Sequence, residues 1–276
     1  MKSKNRLMQF ICYLILIVGG IFTLFPFIWM VLTSLKTHPE TLDVTGKVLP
    51  SSPQWHNYVE AFKAAPFVTY FTNSVIVALA STVFVCITTV LAAFAFSKYN
   101  FKGKKIIFTL LTATLMVPGE LMIITNFSTI SNLGLYNTLI AIFIPYTASV
   151  FYIFLVQQFF KGVPNELYLS AKIDGCSDLK YLIKILVPIA KPIIITICLL
   201  NIIASWNAFL WPLLVTNSEA IRTLPIGLIQ FQTADAGTQY NLLMAASTMI
   251  IVPMLIMFIF TRKYIISGLT QGAIKG

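Results

Sequence analysis

Two long stretches without a single charged residue limit what this chain can become. Leu7 to Leu35 is one uncharged apolar run, and Pro66 to Ser97 is another. Either is long enough to cross a bilayer, which takes about 20 apolar residues as a helix. A soluble fold of this size would also need a polar surface. Only 10% of the 276 residues are charged while 58% are hydrophobic, against about a quarter charged in an ordinary soluble domain. The chain therefore reads as an all-α, polytopic membrane protein. Six spans are expected, at about 7–35, 73–97, 106–130, 138–160, 192–215 and 241–261. The first follows Lys2, Lys4 and Arg6. It is too long for a signal-peptide core and lacks a small-residue cleavage site, so it reads as an uncleaved span.

The net charge of +10 could suggest nucleic acid, but its distribution excludes that reading. With the N-terminus inside, 15 of the 19 basic residues fall in the N-terminal segment, 98–105, 161–191 and the tail 262–276. The outer loops keep only Lys36, Lys47, Lys63 and Arg222. This is the positive-inside pattern of a membrane protein with both termini cytoplasmic. Lys102 and Lys180 then face the cytoplasm, and Thr45 and Ala234 face outside. Cys12, Cys86, Cys176 and Cys198 have no ligand-like spacing. His38 and His56 read as solvated loop residues, so neither a metal site nor a disulfide is expected.

One charged stretch interrupts the apolar pattern, PNELYLSAKIDGCSDLKYLIKILVPIAKP from Pro164 to Pro192. Pro164 suits a helix start, and Gly175 suits a left-handed helix end. Ser177 is a candidate N-cap for a second helix, with Asp178 in its first turn, and Pro188 ends or kinks that helix. Leu167, Ser170, Ala171 and Asp174 share a face at helical spacing. Small side chains there would let another protein approach closely.

This stretch resembles the EAA loop of ABC importer permeases, whose pattern is Glu-Ala-Ala, three residues, Gly, nine residues, Ile, one residue, Leu-Pro. Ser170-Ala171 stand at the Ala-Ala positions, followed by Gly175, Ile185 and Val187-Pro188. Leu169 occupies the Glu position, and Glu166 is the nearest carboxylate. The resemblance implies a cytoplasmic coupling loop over 161–191 that docks into a separate ATPase through Glu166, Leu169, Ser170, Ala171, Asp174, Gly175 and Pro188. Further stretches resemble the carbohydrate branch of these importers. They are Ser34-Leu35-Lys36, Asn57-Tyr58, Trp206 to Leu213, Thr223 to Leu228, and the tail Gly268 to Gly276, which is similar to the ending of the MalG-like member of the permease pair. The resemblance spans essentially the whole chain, as a single transmembrane domain.

What it implies is the membrane permease of a binding-protein-dependent sugar importer in a prokaryotic cell membrane. Its partners would be a second homologous permease, two ATPase subunits, an extracytoplasmic sugar-binding protein and membrane lipid. No nucleic acid is involved. Polyol and glycerol-3-phosphate permeases share the branch. The chain has no phosphate-cradling G-x-x-x-x-G-K-[ST] stretch. ATP and Mg are therefore expected on the partner ATPase, and no catalytic residue is expected here. The tail would reach the ATPases, with Gln271, Gly272 and Lys275 as contacts.

Glu120 is the one ionisable residue well inside a span, where a charge costs at least about 2.5 kcal/mol. Pro118-Gly119 before it opens the helix. Glu120 is a pathway candidate, or alternatively a neutral or interface-reaching side chain. Asn201, Trp206 and Asn207 are further pathway candidates, with interhelical hydrogen bonding the competing role. Trp211 reads as an anchor at the outer boundary. A secondary transporter would carry several ionisable groups for ion coupling, and a membrane enzyme would carry a His/Asp/Glu cluster. The chain has neither pattern.

Overall fold

A computed structural model describes residues 2–43, 47–233 and 237–273, with side chains described for 8–43, 47–231 and 238–262. Thr45, Ala234 and Lys275 lie outside the described residues. Three helices are long and apolar enough to cross a membrane, Met8–Ser34, Phe67–Lys98 and Tyr240–Arg262. Three bent helix pairs bring the number to six if each pair is one span. Two compact units divide the chain, Met1–Phe67 with Gly227–Pro253, and Val68–Ile226 with Met254–Gly276.

The first unit begins with α1 (Lys2–Ser34). Its apolar side chains from Met8 to Phe27 are exposed, as on a helix that meets lipid or another subunit. Short helices α2 (His38–Leu42) and α3 (His56–Lys63) follow. The Asn57 amide donates to the carbonyls of Ser34 and Lys36, both at 2.8 Å, and accepts from Asn241 Nδ2 at 3.2 Å. The Tyr58 hydroxyl pairs with Ser34 Oγ at 2.7 Å. The Ser34-Leu35-Lys36 and Asn57-Tyr58 motifs are thus two halves of one clasp. Lys36 is buried, its ammonium donating to the Lys47 carbonyl at 2.6 Å and lying 4.9 Å from the Trp29 ring. His56 pairs with Glu60 at 3.1 Å.

The second unit starts along α4 (Phe67–Lys98). Its buried residues include the small or polar Asn73, Ser74, Ala78, Ser81, Thr82, Thr89 and Ala93, which let membrane helices approach closely, beside the larger Tyr70, Val77, Val85 and Phe94. Next come α5 (Lys104–Ala113) and α6 (Ile123–Asn132), joined through Pro118 with a bend of 95°. The pair α7 (Leu139–Phe143) and α8 (Val150–Gly162) bends by 47° around Pro145. Each of these two helices has a hydroxyl N-cap, Thr138 and Ser149 respectively. The elbow consists of α9 (Asn165–Ile173), α10 (Asp178–Tyr181), a π turn Leu182–Leu186 and α11 (Val187–Ile189). The π turn lies directly before Pro188, which has no N–H to continue the ordinary ladder. After an 82° bend the chain enters α12 (Lys191–Trp206), then α13 (Leu210–Val215) and α14 (Leu224–Gly227).

Finally α15 runs from Tyr240 to Ala273. The helix therefore continues past the expected span end at 261 into the tail, through Gln271 and Gly272. A helix needs only satisfied backbone hydrogen bonds to extend past the bilayer, and no proline stands between Arg262 and Ala273 to stop it.

Candidate functional site

Two places in the second unit carry functional geometry. The first is a cavity of about 380 Å³ where helix breaks converge. Pro118 takes an extended ψ of 130°, ending one helical stretch, and Gly119–Met122 continues as a 3₁₀ turn that presents Glu120. Pro145 imposes a second 3₁₀ turn, which presents Tyr146. The third break lies between α12 and α13, at Ala208 and Phe209. Residues of all three breaks line the cavity, together with Ser81, Asn201 and Ser205. Irregular backbone at membrane depth is tolerated where it lines a cavity, and broken helices mark binding sites in transport proteins.

The four sequence-derived pathway residues separate. Glu120 lines the cavity, and its backbone carbonyl accepts from the Ile123 N–H at the end of the 3₁₀ turn. Asn201 also lines it, but its amide is occupied, donating to Ser81 Oγ and Thr82 Oγ1, both at 3.0 Å. It therefore ties α12 to α4. Trp206 is not in the wall: it is buried and meets Phe71 edge-on at 5.7 Å. Asn207 is exposed and donates to the Ile203 carbonyl at 2.9 Å, closing the end of α12. Trp211, expected at the membrane boundary, is instead a buried wall residue. Its indole N–H is shared between the Ala141 and Ile142 carbonyls at 3.2 and 3.1 Å, carbonyls left open by the break after α7. Tyr146 packs edge-on against it at 6.1 Å. Tyr146 and Ser205 were not singled out from sequence; Pro145 was the available signal for the former.

The second place is the elbow. Gly175 has φ +71°. Its N–H bonds to the Lys172 carbonyl at 3.0 Å, and that of Cys176 to the Ala171 carbonyl at 2.8 Å. This pair is the Schellman arrangement expected of a helix-ending glycine. Ser177 Oγ caps α10 by accepting from Lys180 N at 3.4 Å. Asp178 Oδ1 accepts from the Tyr168 hydroxyl and from Lys172 Nζ, each at 2.6 Å, and so braces α9 against α10. Burial and this carboxylate together keep the Tyr168 hydroxyl protonated, its pKa raised well above the usual phenol range.

Of the four residues expected to share a face, Leu167, Ser170 and Asp174 are exposed, and only Ala171 is buried. Ala171 faces inward, in one core cluster with Phe94, Phe160, Tyr181, Leu182 and Leu186. The outward face is Glu166, Leu169, Ser170 and Ile173, with Leu169 54% and Ile173 86% exposed. Glu166 is exposed and acts electrostatically on Lys98. Asp174 and Pro188 are exposed as well.

A helical membrane protein whose broken helices line a cavity with a few polar groups in an apolar wall, beside a braced elbow, has the architecture of a transport permease. Residues 85–270 match the family described as binding-protein-dependent transport system inner membrane component. The arabinooligosaccharides transport system permease protein AraQ of Halalkalibacterium halodurans is 35% identical, over 91% of this chain and 91% of the relative. The trehalose/maltose transport system permease protein MalG of Thermococcus litoralis is 34% identical, over 95% and 97%. The sulfoquinovosyl glycerol transport system permease protein SmoH of Agrobacterium fabrum is 34% identical, over 99% and 95%. Among solved structures, a bacterial ABC transporter that imports the acidic polysaccharide alginate contains a chain of the same fold. Its TM-score is 0.82 at 23% identity, covering 95% of this chain and 97% of that one. The chain belongs to the binding-protein-dependent transport system inner membrane component family and is a transport permease subunit.

Proposed function

We propose that this chain carries an uncharged sugar into the cytoplasm, as one half of a permease pair driven by two ATPase subunits and supplied by an extracytoplasmic sugar-binding protein. The observation that carries the reading is the convergence of three helix breaks on one largely apolar cavity, into which a few polar groups, Glu120, Tyr146, Ser81, Ser205 and Asn201, are set. Permeases named for arabino-oligosaccharides and for trehalose and maltose are relatives over nearly the full length, which supports a sugar cargo. Both termini are cytoplasmic in this reading, as the lysine and arginine distribution requires. The elbow then faces the ATPase, presenting Glu166, Leu169, Ser170 and Ile173. ATP and Mg belong to that partner. Gln271, Gly272 and Lys275 of the tail are proposed as further contacts with it. ATP-driven closure of the partners shifts the permease between inward- and outward-facing states, and cargo contributes only through unequal affinity for the two.

Charge decides between sugar classes. Glu120 is the sole carboxylate among the cavity-lining residues, and no lysine or arginine lines it. A phosphate or carboxylate beside the Glu120 carboxyl meets an acidic group and no basic partner, an electrostatic penalty. Neutral sugars and polyols carry no such penalty, so glycerol-3-phosphate is the disfavoured cargo. The test is ATP-dependent uptake by the full complex in proteoliposomes. Neutral oligosaccharides should accumulate, glycerol-3-phosphate should not, and Glu120→Gln should weaken that discrimination while neutral uptake persists. Uptake of glycerol-3-phosphate with no neutral sugar transported would reject the assignment.

A further inference from the structure

A second cavity, of about 680 Å³, lies away from the proposed pathway, between the end of α4, the start of α5 and α8. Lys104, Lys105 and Lys161 line it, and no acidic residue does. Lys104 and Lys105 occupy the first turn of α5, whose N-cap is Gly103 at φ +81° with no side-chain cap. Of the amides at that helix start, Lys104 N–H is taken by the Phe101 carbonyl at 3.3 Å and Ile107 N–H by the Gly103 carbonyl at 2.9 Å, and the positive end of the helix adds to the three ammonium groups. Lys104 Nζ spends one hydrogen bond on the Tyr99 carbonyl at 2.6 Å, leaving two donors. Phe96 and Phe108 supply apolar wall, with Lys161 Nζ 5.8 Å from the Phe108 ring centre. Gln157 closes the cavity and is only 1% exposed. Its Nε2 donates to the Phe96 carbonyl at 3.3 Å, but its Oε1 has no hydrogen-bond partner among the described residues.

We propose that this cavity holds the headgroup of an anionic phospholipid. A soluble anion would satisfy the lysines but leave the aromatic wall unused. The cavity opens at the beginning of a membrane-crossing helix pair, where headgroups lie, and on the cytoplasmic side in the orientation proposed above. Basic crevices between spanning helices suit acidic headgroups there. The orphan Gln157 acceptor requires a donor, which the glycerol hydroxyls of phosphatidylglycerol possess.

The experiment is native mass spectrometry of the full-length chain released from nanodiscs of mixed phosphatidylglycerol and phosphatidylcholine. One phosphatidylglycerol should be retained in preference to phosphatidylcholine. Each ammonium near an acidic headgroup contributes about fivefold, so Lys104→Gln/Lys105→Gln/Lys161→Gln should reduce retention by roughly a hundredfold. The triple Lys→Arg variant should retain the lipid, which separates charge from fold. Lys180→Gln/Lys184→Gln/Lys191→Gln, with the same net-charge change elsewhere, should leave retention intact. Inorganic phosphate at millimolar concentration should not displace the lipid. Equal retention by the Gln variant, equal loss in the second triple variant, or displacement by phosphate would each overturn the proposal.

Discussion

Asp178→Ala is the substitution that should loosen the elbow most selectively. Asp178 Oδ1 receives the Tyr168 hydroxyl and the Lys172 ammonium at 2.6 Å each, from residues one turn apart on α9. A hydrogen bond to an ionised group is worth about 1.5–3 kcal/mol when shielded. The side chains of Lys172 and Asp178 are 39% and 33% exposed, so solvent screening limits the ion pair to under about 1 kcal/mol and weakens the other bond. Together the two contribute about 2 kcal/mol, a factor of roughly 30 in the local opening equilibrium. Amide hydrogen exchange on the full complex reads this directly. The Gly175 and Cys176 amides, bonded to the Lys172 and Ala171 carbonyls, should exchange about 30-fold faster, while α12 amides keep their protection. Tyr168→Phe should give part of the effect, and Glu166→Ala, whose side chain is exposed, none. Unchanged exchange in Asp178→Ala would refute the reasoning and leave the buried Tyr181, Leu182 and Leu186 as the sole anchors of the elbow.

Gly175→Val meets no atom within 4 Å of its added Cβ, so its whole cost is the left-handed backbone, about 1–2 kcal/mol. Membrane levels should stay normal while ATPase stimulation by loaded binding protein falls; wild-type stimulation would contradict the role of the elbow. Glu40, hydrogen-bonded foremost to Ser51 and to the Thr37 backbone, has its carboxyl pKa held down to about 2 from 4.5. Its contribution to the loop is full above pH 4.5 and is lost as pH falls toward 2, so exchange at residues 38–42 should rise only in that window and lose the dependence in Glu40→Gln. Asn57→Ala leaves two buried carbonyls without their donor, at about 1–3 kcal/mol, and should lower thermal stability by several degrees.

The features legible in the sequence are those set by local stereochemistry. Gly175 was readable because a left-handed helix end favours glycine, and Ser177 because an N-cap needs a short acceptor. Glu120 was readable because ionised groups are costly in lipid and Pro118-Gly119 announces a break. What remained hidden depended on which side of a helix meets the core. Helical period placed Ala171 on a face but did not say that Phe94 and Tyr181 stand behind it. The same limit hid the cavity-lining position of Trp211. Tryptophan is amphipathic, and only the break after α7, which opens the Ala141 and Ile142 carbonyls, makes Trp211 a wall residue. Asp178 looked like a residue favoured by a helix dipole. Tyr168 and Lys172 lie across the Gly175 turn from it and Tyr99 lies at the end of α4, at separations that no helical period describes.

The central claim is that cargo passes through the cavity at the helix breaks, and Ser205 reports on it most directly because its side chain is small and lines that cavity. Ser205→Cys can be placed in a background where Cys12, Cys86, Cys176 and Cys198 are alanine, and the full complex reconstituted with its ATPases and loaded binding protein. The rate of modification by a membrane-impermeant thiol reagent, applied from one side, is then compared with and without ATP and sugar. The account predicts modification whose sidedness switches with ATP and which slows when transported sugar is present. A thiol that stays unreactive from both sides, or reacts at one rate regardless of ATP and sugar, would contradict it.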